Sequence, residues 1–227
     1  MTGIQKGNSM KKLTLLSAPL FAVTMALSGC QSAYYSAMES VGVHKRDILV
    51  DRVEETKESQ QESQEEFQSA LERLTTLINF DGGELQDAYN QLNDDYESSL
   101  AAANQVTTNI NKVEDVAEAL FDEWSDELEQ YKSASLKRES SKKLNATKRQ
   151  FDQLLRSMRS AESKMEPVLT SLHDNVLYLK HNLNAQAVTA IKGEFTNLKR
   201  DIKILMDDMN KSIEDSNKFI EQMNKAS

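Results

Sequence analysis

The chain has 227 residues, 28% of them charged and 6% aromatic, and carries a net charge of −9 at pH 7. That acidic balance excludes general nucleic-acid binding, which needs clustered cations against phosphate. Seven glycines, two prolines and one cysteine exclude a turn-rich mixed fold and a disulfide scaffold, and leave long helices with narrow apolar stripes.

The first predicted element is not part of the fold. Lys11 and Lys12 precede an apolar run over 13–26, and the small residues of Leu27-Ser28-Gly29 lead into Cys30. Positive charge, apolar run and small residues are the order of a secretory signal. The run contains Pro19 and several hydroxyls, and it falls short of the ~20 apolar residues that a membrane span needs. Residues 1–29 are therefore predicted to be removed, with 1–9 a misplaced start and Met10 the initiator. Leu27-Ser28-Gly29-Cys30 resembles the lipobox of bacterial lipoproteins, in which cleavage precedes the cysteine. The resemblance implies that the Cys30 sulfur and new amino group are acylated, with palmitate-type chains. There is no later cysteine for Cys30 to pair with. One acyl chain anchors marginally and two or more anchor stably, so Cys30 is the predicted membrane tether. By resemblance to sorted lipoproteins, Gln31 rather than Asp after the cysteine implies the outer membrane.

Residues 30–227 are predicted as one helical, coiled-coil domain. The first helix, over 34–79, carries Ile48, Val53, Phe67, Leu71, Leu74 and Ile78. Its middle, 55–66, has no large apolar residue and reads as a solvated spacer beside the tether. Whether 34–48 is helix or a flexible stalk is open at this level. Asp81-Gly82-Gly83-Glu84 reads as a turn, with glycines able to take positive φ and Asp81 and Glu84 spaced as a capping box.

A second helix over 84–132 has the cleanest period. Leu85, Tyr89, Leu92, Tyr96, Leu100, Ala103, Val106, Ile110, Val113, Ala117, Leu120, Trp124, Leu128 and Tyr131 follow at steps of three and four. At 1.5 Å per residue this phase spans about 70 Å. Trp124, in phase with Leu120 and Leu128, is predicted to be buried. Every charged residue over 114–129 is an acid, whereas 137–164 holds nine bases against three acids. Reversing the chain at Ser133-Ala134-Ser135 brings the two runs together, with Asp126 near Lys142, Asp122 near Asn145 and Glu118 near Arg149. Exposed pairs contribute only about 0.2–1 kcal/mol each, so they select register more than they stabilise.

The third helix, over 135–181, uses Leu144, Phe151, Leu154, Met158, Met165, Leu172, Val176 and Leu179, and Pro167 is expected to kink or break it. Asn184 is a predicted N-cap. The fourth helix, over 184–223, uses Ile191, Phe195, Leu198, Ile202, Leu205, Met209, Ile213, Ile220 and Met223. The expected fold is all-α, long antiparallel helices: a four-helix bundle, or paired coiled-coil hairpins of elongated form.

No catalytic constellation is legible. His173 and His181 lie eight residues apart on one helix, about 12 Å along its axis, and His44 stands near the tether. Met158, Met165, Met206, Met209 and Met223 fall on apolar stripes and read as core filler rather than a soft-metal site. No cofactor, metal or enzymatic activity is expected. The best candidate surface is the basic run of Lys137, Arg138, Lys142, Lys143, Lys148, Arg149, Arg156 and Arg159, read either as neutralised by the acidic helix or as a face for an anionic ligand.

The segments Tyr34-Tyr35-Ser36-Ala37-Met38-Glu39, His44-Lys45-Arg46-Asp47-Ile48-Leu49-Val50, Asn79-Phe80-Asp81-Gly82-Gly83, Val116-Ala117-Glu118-Ala119-Leu120-Phe121 and Leu179-Lys180-His181-Asn182-Leu183-Asn184 carry a resemblance. They are similar to an uncharacterised family of Gram-negative envelope lipoproteins with a coiled-coil domain of unknown function. The resemblance implies an all-helical exported protein, with no activity and no catalytic residues to carry over. The leading expectation is a structural or adaptor lipoprotein, tethered at Cys30 and facing the periplasm. Its partner would be an envelope protein or polymer, or a second copy of the chain. An envelope binding module using the basic 137–164 face is the alternative. A cytosolic DNA-associated coiled coil is the third, disfavoured by the leader and the acidic charge.

Overall fold

The computed structural model describes residues 34–35, 37–40, 42–79 and 85–225. The predicted leader, Cys30 and the Asp81-Gly82-Gly83-Glu84 turn lie outside the described residues. The chain divides into two compact units, Met1–Val43 and His44–Ser227.

In the first unit Tyr34, Tyr35 and residues 37–40 are helical, and the two tyrosine rings meet edge to face with centroids 5.5 Å apart. The segment closes at Gly42, whose φ of +87° is accessible to glycine at little cost. Gly42 N–H donates to Glu39 O and Val43 N–H to Met38 O, both at 3.0 Å, a paired closure that consumes two helix-end carbonyls. The single predicted helix over 34–79 is thus corrected: the chain is helical on both sides of a Gly42 turn.

The second unit contains α1 (Lys45–Ile78), α2 (Leu85–Gln130), α3 (Ala134–His181) and α4 (Ala185–Lys225). Apart from the Gly42 break, their limits fall within two residues of the predicted ones, because capping groups stand where the sequence puts them. His44 O accepts from Asp47 N and Ile48 N at the start of α1. Ser133 Oγ accepts from Leu136 N at 3.4 Å before α3. Asn184 Oδ1 accepts from Gln186 N at 2.9 Å and from Ala187 N at 3.1 Å before α4, as its N-cap reading requires.

Each helix packs against two others: α1 against α2 and α4, and α3 against α2 and α4. The ring is closed, which decides between a four-helix bundle and separate hairpins. Cross-helix bonds fix the antiparallel sense. Arg73 reaches Gln91 and Asp95 while Asn109 reaches Glu55, and Ser160 reaches Asp208 while Phe151 meets Phe219. The buried residues advance by alternating threes and fours, the spacing that keeps one stripe on a facing helix. In α4 that stripe reads Leu198, Ile202, Leu205, Met209, Ser212, Ser216, Phe219, Met223. In α1 it reads Leu49, Val53, Thr56, Gln60, Ser63, Phe67, Ala70, Leu74, Leu77.

Three expectations change here. Residues 55–66 are not a solvated spacer: Thr56, Gln60 and Ser63 are fully buried and continue the α1 core stripe. Opposite them α4 places Ser212 and Ser216, also fully buried, so the middle of this seam is polar. In α4, Ile213 and Ile220 are only half-buried, and Phe219 takes the core position. Pro167 does not break α3, which runs through it as one element. The proline and Ser163, whose carbonyl it leaves without a helical donor, both face solvent, so water can serve that carbonyl.

Candidate binding surfaces: the basic stripe and the end cleft

Arg138, Lys142, Arg149 and Arg156 follow at steps of four and seven, which places them on one line along α3. All four are exposed, on the side away from Leu144, Phe151 and Met158. None of them makes an ion pair or side-chain hydrogen bond among the described residues. The acidic run of α2 therefore does not neutralise this line, and the predicted Asp126–Lys142 and Glu118–Arg149 neighbours form no ion pairs.

The other predicted basic residues are spoken for in different ways. Lys137 pairs with Glu129 across the α2–α3 turn at 3.0 Å. Lys148 stands 5.5 Å above the Phe121 ring, within range of a cation–π contact. Arg159 bonds Glu114 at 2.6 Å, Glu162 at 2.9 Å and Asn111 at 2.8 Å. Burial alone would lower the Arg159 guanidinium, but its bonds to Glu162 and Glu114 and their charges outweigh that and hold it above its ordinary value. Lys143 belongs to neither group. It lines a cleft at one end of the bundle.

That cleft has a volume of about 740 Å³ and draws on all four helices: Arg46 of α1, Leu120 and Trp124 of α2, Lys143 of α3, Met223 and Lys225 of α4. It forms where the N-terminal ends of α1 and α3 meet the C-terminal ends of α2 and α4. Trp124, predicted to be buried, is half-exposed, and its Nε1 donates to Ser140 Oγ at 2.8 Å. The reason is a shift of phase near the end of α2. Phe121 enters the core and stacks edge to face on Phe151 at 5.6 Å, which turns Leu120 and Trp124 toward the cleft. The sequence sets Leu120 and Phe121 side by side, and only Phe121 takes the core position. Beside the cleft, Lys45 of α1 pairs with Glu123 of α2 at 3.1 Å.

Two smaller cavities lie along the helices, one of about 370 Å³ between α3 and α4 and one of about 560 Å³ between α2 and α3. The latter includes His173, whose ring lies 5.2 Å from that of Tyr96. His44 and His181 are exposed at helix ends. Among the described residues no group of three or more His, Cys, Asp or Glu side chains could hold a metal ion. Met158, Met165, Met209 and Met223 are buried in the core, and Ser63 Oγ lies 3.8 Å from Met165 Sδ.

A family model described as a protein of unknown function (DUF2959) matches residues 34–223. No curated protein matches the chain, and no solved structure matches it.

Proposed function

We propose, from the premise that the chain belongs to the DUF2959 family, that it is a membrane-tethered lipoprotein with a structural or adaptor role and no catalysis. The observation that carries this reading is the sequence Leu27-Ser28-Gly29-Cys30 ahead of a bundle whose four helices close on one another. α2 and α3, at 46 and 48 residues, would each extend about 70 Å at 1.5 Å per residue. Among the described residues no helix is long and apolar enough to cross a membrane, so attachment in this reading rests on the acyl chains of Cys30. The bundle then faces the periplasm, most naturally from the outer membrane.

The test is an intact-mass measurement on membrane-extracted protein, with its N-terminal peptide mapped. A chain beginning at Cys30 and carrying three acyl groups supports the reading, and an unprocessed chain beginning at Met1 or Met10 refutes it. Cys30→Ala should move the protein out of the membrane fraction.

The exposed, unpaired line of Arg138, Lys142, Arg149 and Arg156 favours a second reading, an envelope binding module for an anionic polymer. Long polyphosphate is a suitable probe. Binding that weakens with salt, and that is lost when these four residues become Gln, supports this reading. Binding unaffected by those changes, or none, sinks it.

A further inference from the structure

We propose that the end cleft binds a single-chain anionic amphiphile. Arg46 and Lys143 would hold its carboxylate or phosphate, and its hydrocarbon chain would lie against Leu120, Trp124 and Met223. The volume of about 740 Å³ is in the range of about 300–1,000 Å³ that encloses small ligands, and clefts between bundle helices are a common place for them. The lining offers apolar side chains for a hydrocarbon chain and cations for an anionic head.

Two large apolar side chains of the lining lie outside the core stripe. Leu120 and Trp124 are displaced from the core stripe by Phe121, yet they turn toward a shared recess. The bond from Trp124 Nε1 to Ser140 Oγ satisfies the only polar atom of the indole, which leaves the rest of that side chain as apolar surface. An anionic polymer would make no use of this surface.

The charged side chains of the lining select a sign. Arg46 and Lys143 come from different helices, and neither forms an ion pair or side-chain hydrogen bond among the described residues. Of the two acids that line the cleft, Glu123 is already engaged by Lys45 at 3.1 Å, leaving Glu127. Lys225, also in the lining, pairs with Glu221 of its own helix at 3.4 Å. Cations therefore outnumber free acids around the recess, although the whole chain is acidic. A neutral chain would gain nothing from that arrangement, and an anionic one gains charge-assisted contacts.

The experiment uses the full chain in the presence of zwitterionic nanodiscs, with photoreactive probes and peptide mapping of the adducts. A diazirine-bearing dodecanoate is added from solution. A diazirine-bearing lysophosphatidic acid, preloaded in the discs, tests a membrane-borne source. Dodecanol with the same diazirine is the neutral control. The expected result is that at least one anionic probe labels peptides containing Leu120, Trp124 or Met223, and that the alcohol labels them less. Which anionic probe succeeds identifies the source. Arg46→Gln with Lys143→Gln should reduce the labelling about fivefold, from the loss of two exposed charge contacts, while leaving the thermal melt in place. Trp124 is the only tryptophan of the chain, so its emission should shift with the same dependence on ligand. Equal labelling by acid and alcohol, adducts scattered over the helices, or no effect of the double substitution would overturn the proposal. These outcomes do not depend on whether Cys30 is acylated, so they leave the tether to its own test.

Discussion

Gln60 of α1 donates from Nε2 to Ser212 Oγ of α4 at 3.0 Å, between two fully buried side chains 152 positions apart in the chain. Both occupy core-stripe positions, where coiled-coil packing ordinarily stacks branched apolar residues. Their neighbours avoid the same difficulty within their own helices: Thr56 Oγ1 donates to Arg52 O and Ser216 Oγ to Ser212 O, each at 2.8 Å. Among the described residues, Gln60 Oε1, Ser157 Oγ and Asp215 Oδ2 have no hydrogen-bond partner. Such a pair costs stability, since burying polar atoms forfeits their hydration. What it contributes is alignment, because sliding α1 along α4 by one turn toward Met209 would strand the Gln60 amide against an apolar side chain.

Replacing both members should therefore stabilise the bundle while loosening its register. Gln60→Leu with Ser212→Ala is expected to raise the unfolding free energy by about 1–2 kcal/mol, since removing both partners avoids leaving one stranded. Gln60→Ala alone should lower it by about 1–3 kcal/mol, by stranding Ser212 and opening a void. Urea unfolding followed by circular dichroism checks both. A double variant as unstable as the single one would show that the polar pair is a net contributor.

The polar seam also marks where the sequence stops being legible. Apolar period alone locates the buried positions of α3, because Leu144, Phe151, Leu154, Met158, Met165, Leu172, Val176 and Leu179 are all buried there. Turn chemistry does equally well at Ser133 and Asn184. The same method reads 55–66 as solvated, because Thr56, Gln60 and Ser63 look like surface residues unless the phase of Val53 and Phe67 is carried through them. In α4 it selects Ile213 and Ile220 over Ser212, Ser216 and Phe219, since hydrophobicity outweighs phase wherever a core position is filled by serine. The end cleft was hidden for a related reason. Its cations come from α1, α3 and α4, and no linear stretch shows Arg46 and Lys143 as neighbours of one recess.

Phe151 links three helices at the cleft end of the bundle. Its ring lies 5.6 Å from Phe121 of α2 and 6.0 Å from Phe219 of α4, both edge to face, and only 5% of the residue is exposed. Phe151→Ala should cost about 3–5 kcal/mol, the transfer term plus the cavity left between helices that cannot fully collapse. Denaturant titration measures it. A loss below about 1 kcal/mol would mean that the site refills, contrary to the rigid packing expected of a core.

Arg159 offers the contrasting case. It joins α2 to α3 through Glu114 and reaches Glu162 within α3, but its side chain is 35% exposed and solvent screens both pairs. Arg159→Gln is expected to lower stability by no more than about 1 kcal/mol, and the difference from the parent should shrink as salt rises. Thermal melts at low and high ionic strength check this. An effect that survives at high salt would assign Arg159 a packing role through its aliphatic stem instead.

Pro167 is the one residue of α3 that works against its own helix. It lies between the buried Met165 and Val168, yet faces solvent itself, and it removes the N–H that would serve the exposed Ser163 carbonyl. In a helix interior proline is about 3 kcal/mol less favourable than alanine. Part of that penalty is offset because proline also restricts the unfolded chain, an effect of about 0.4–1 kcal/mol. Pro167→Ala should therefore raise the unfolding free energy by about 2–2.6 kcal/mol, visible as a higher urea midpoint at unchanged slope. No core contact is lost by the change, because the ring is on the outer face. A neutral or destabilising result would mean that α3 is shaped by the proline, and that Met165 and Val168 reach their core positions only along the path it sets.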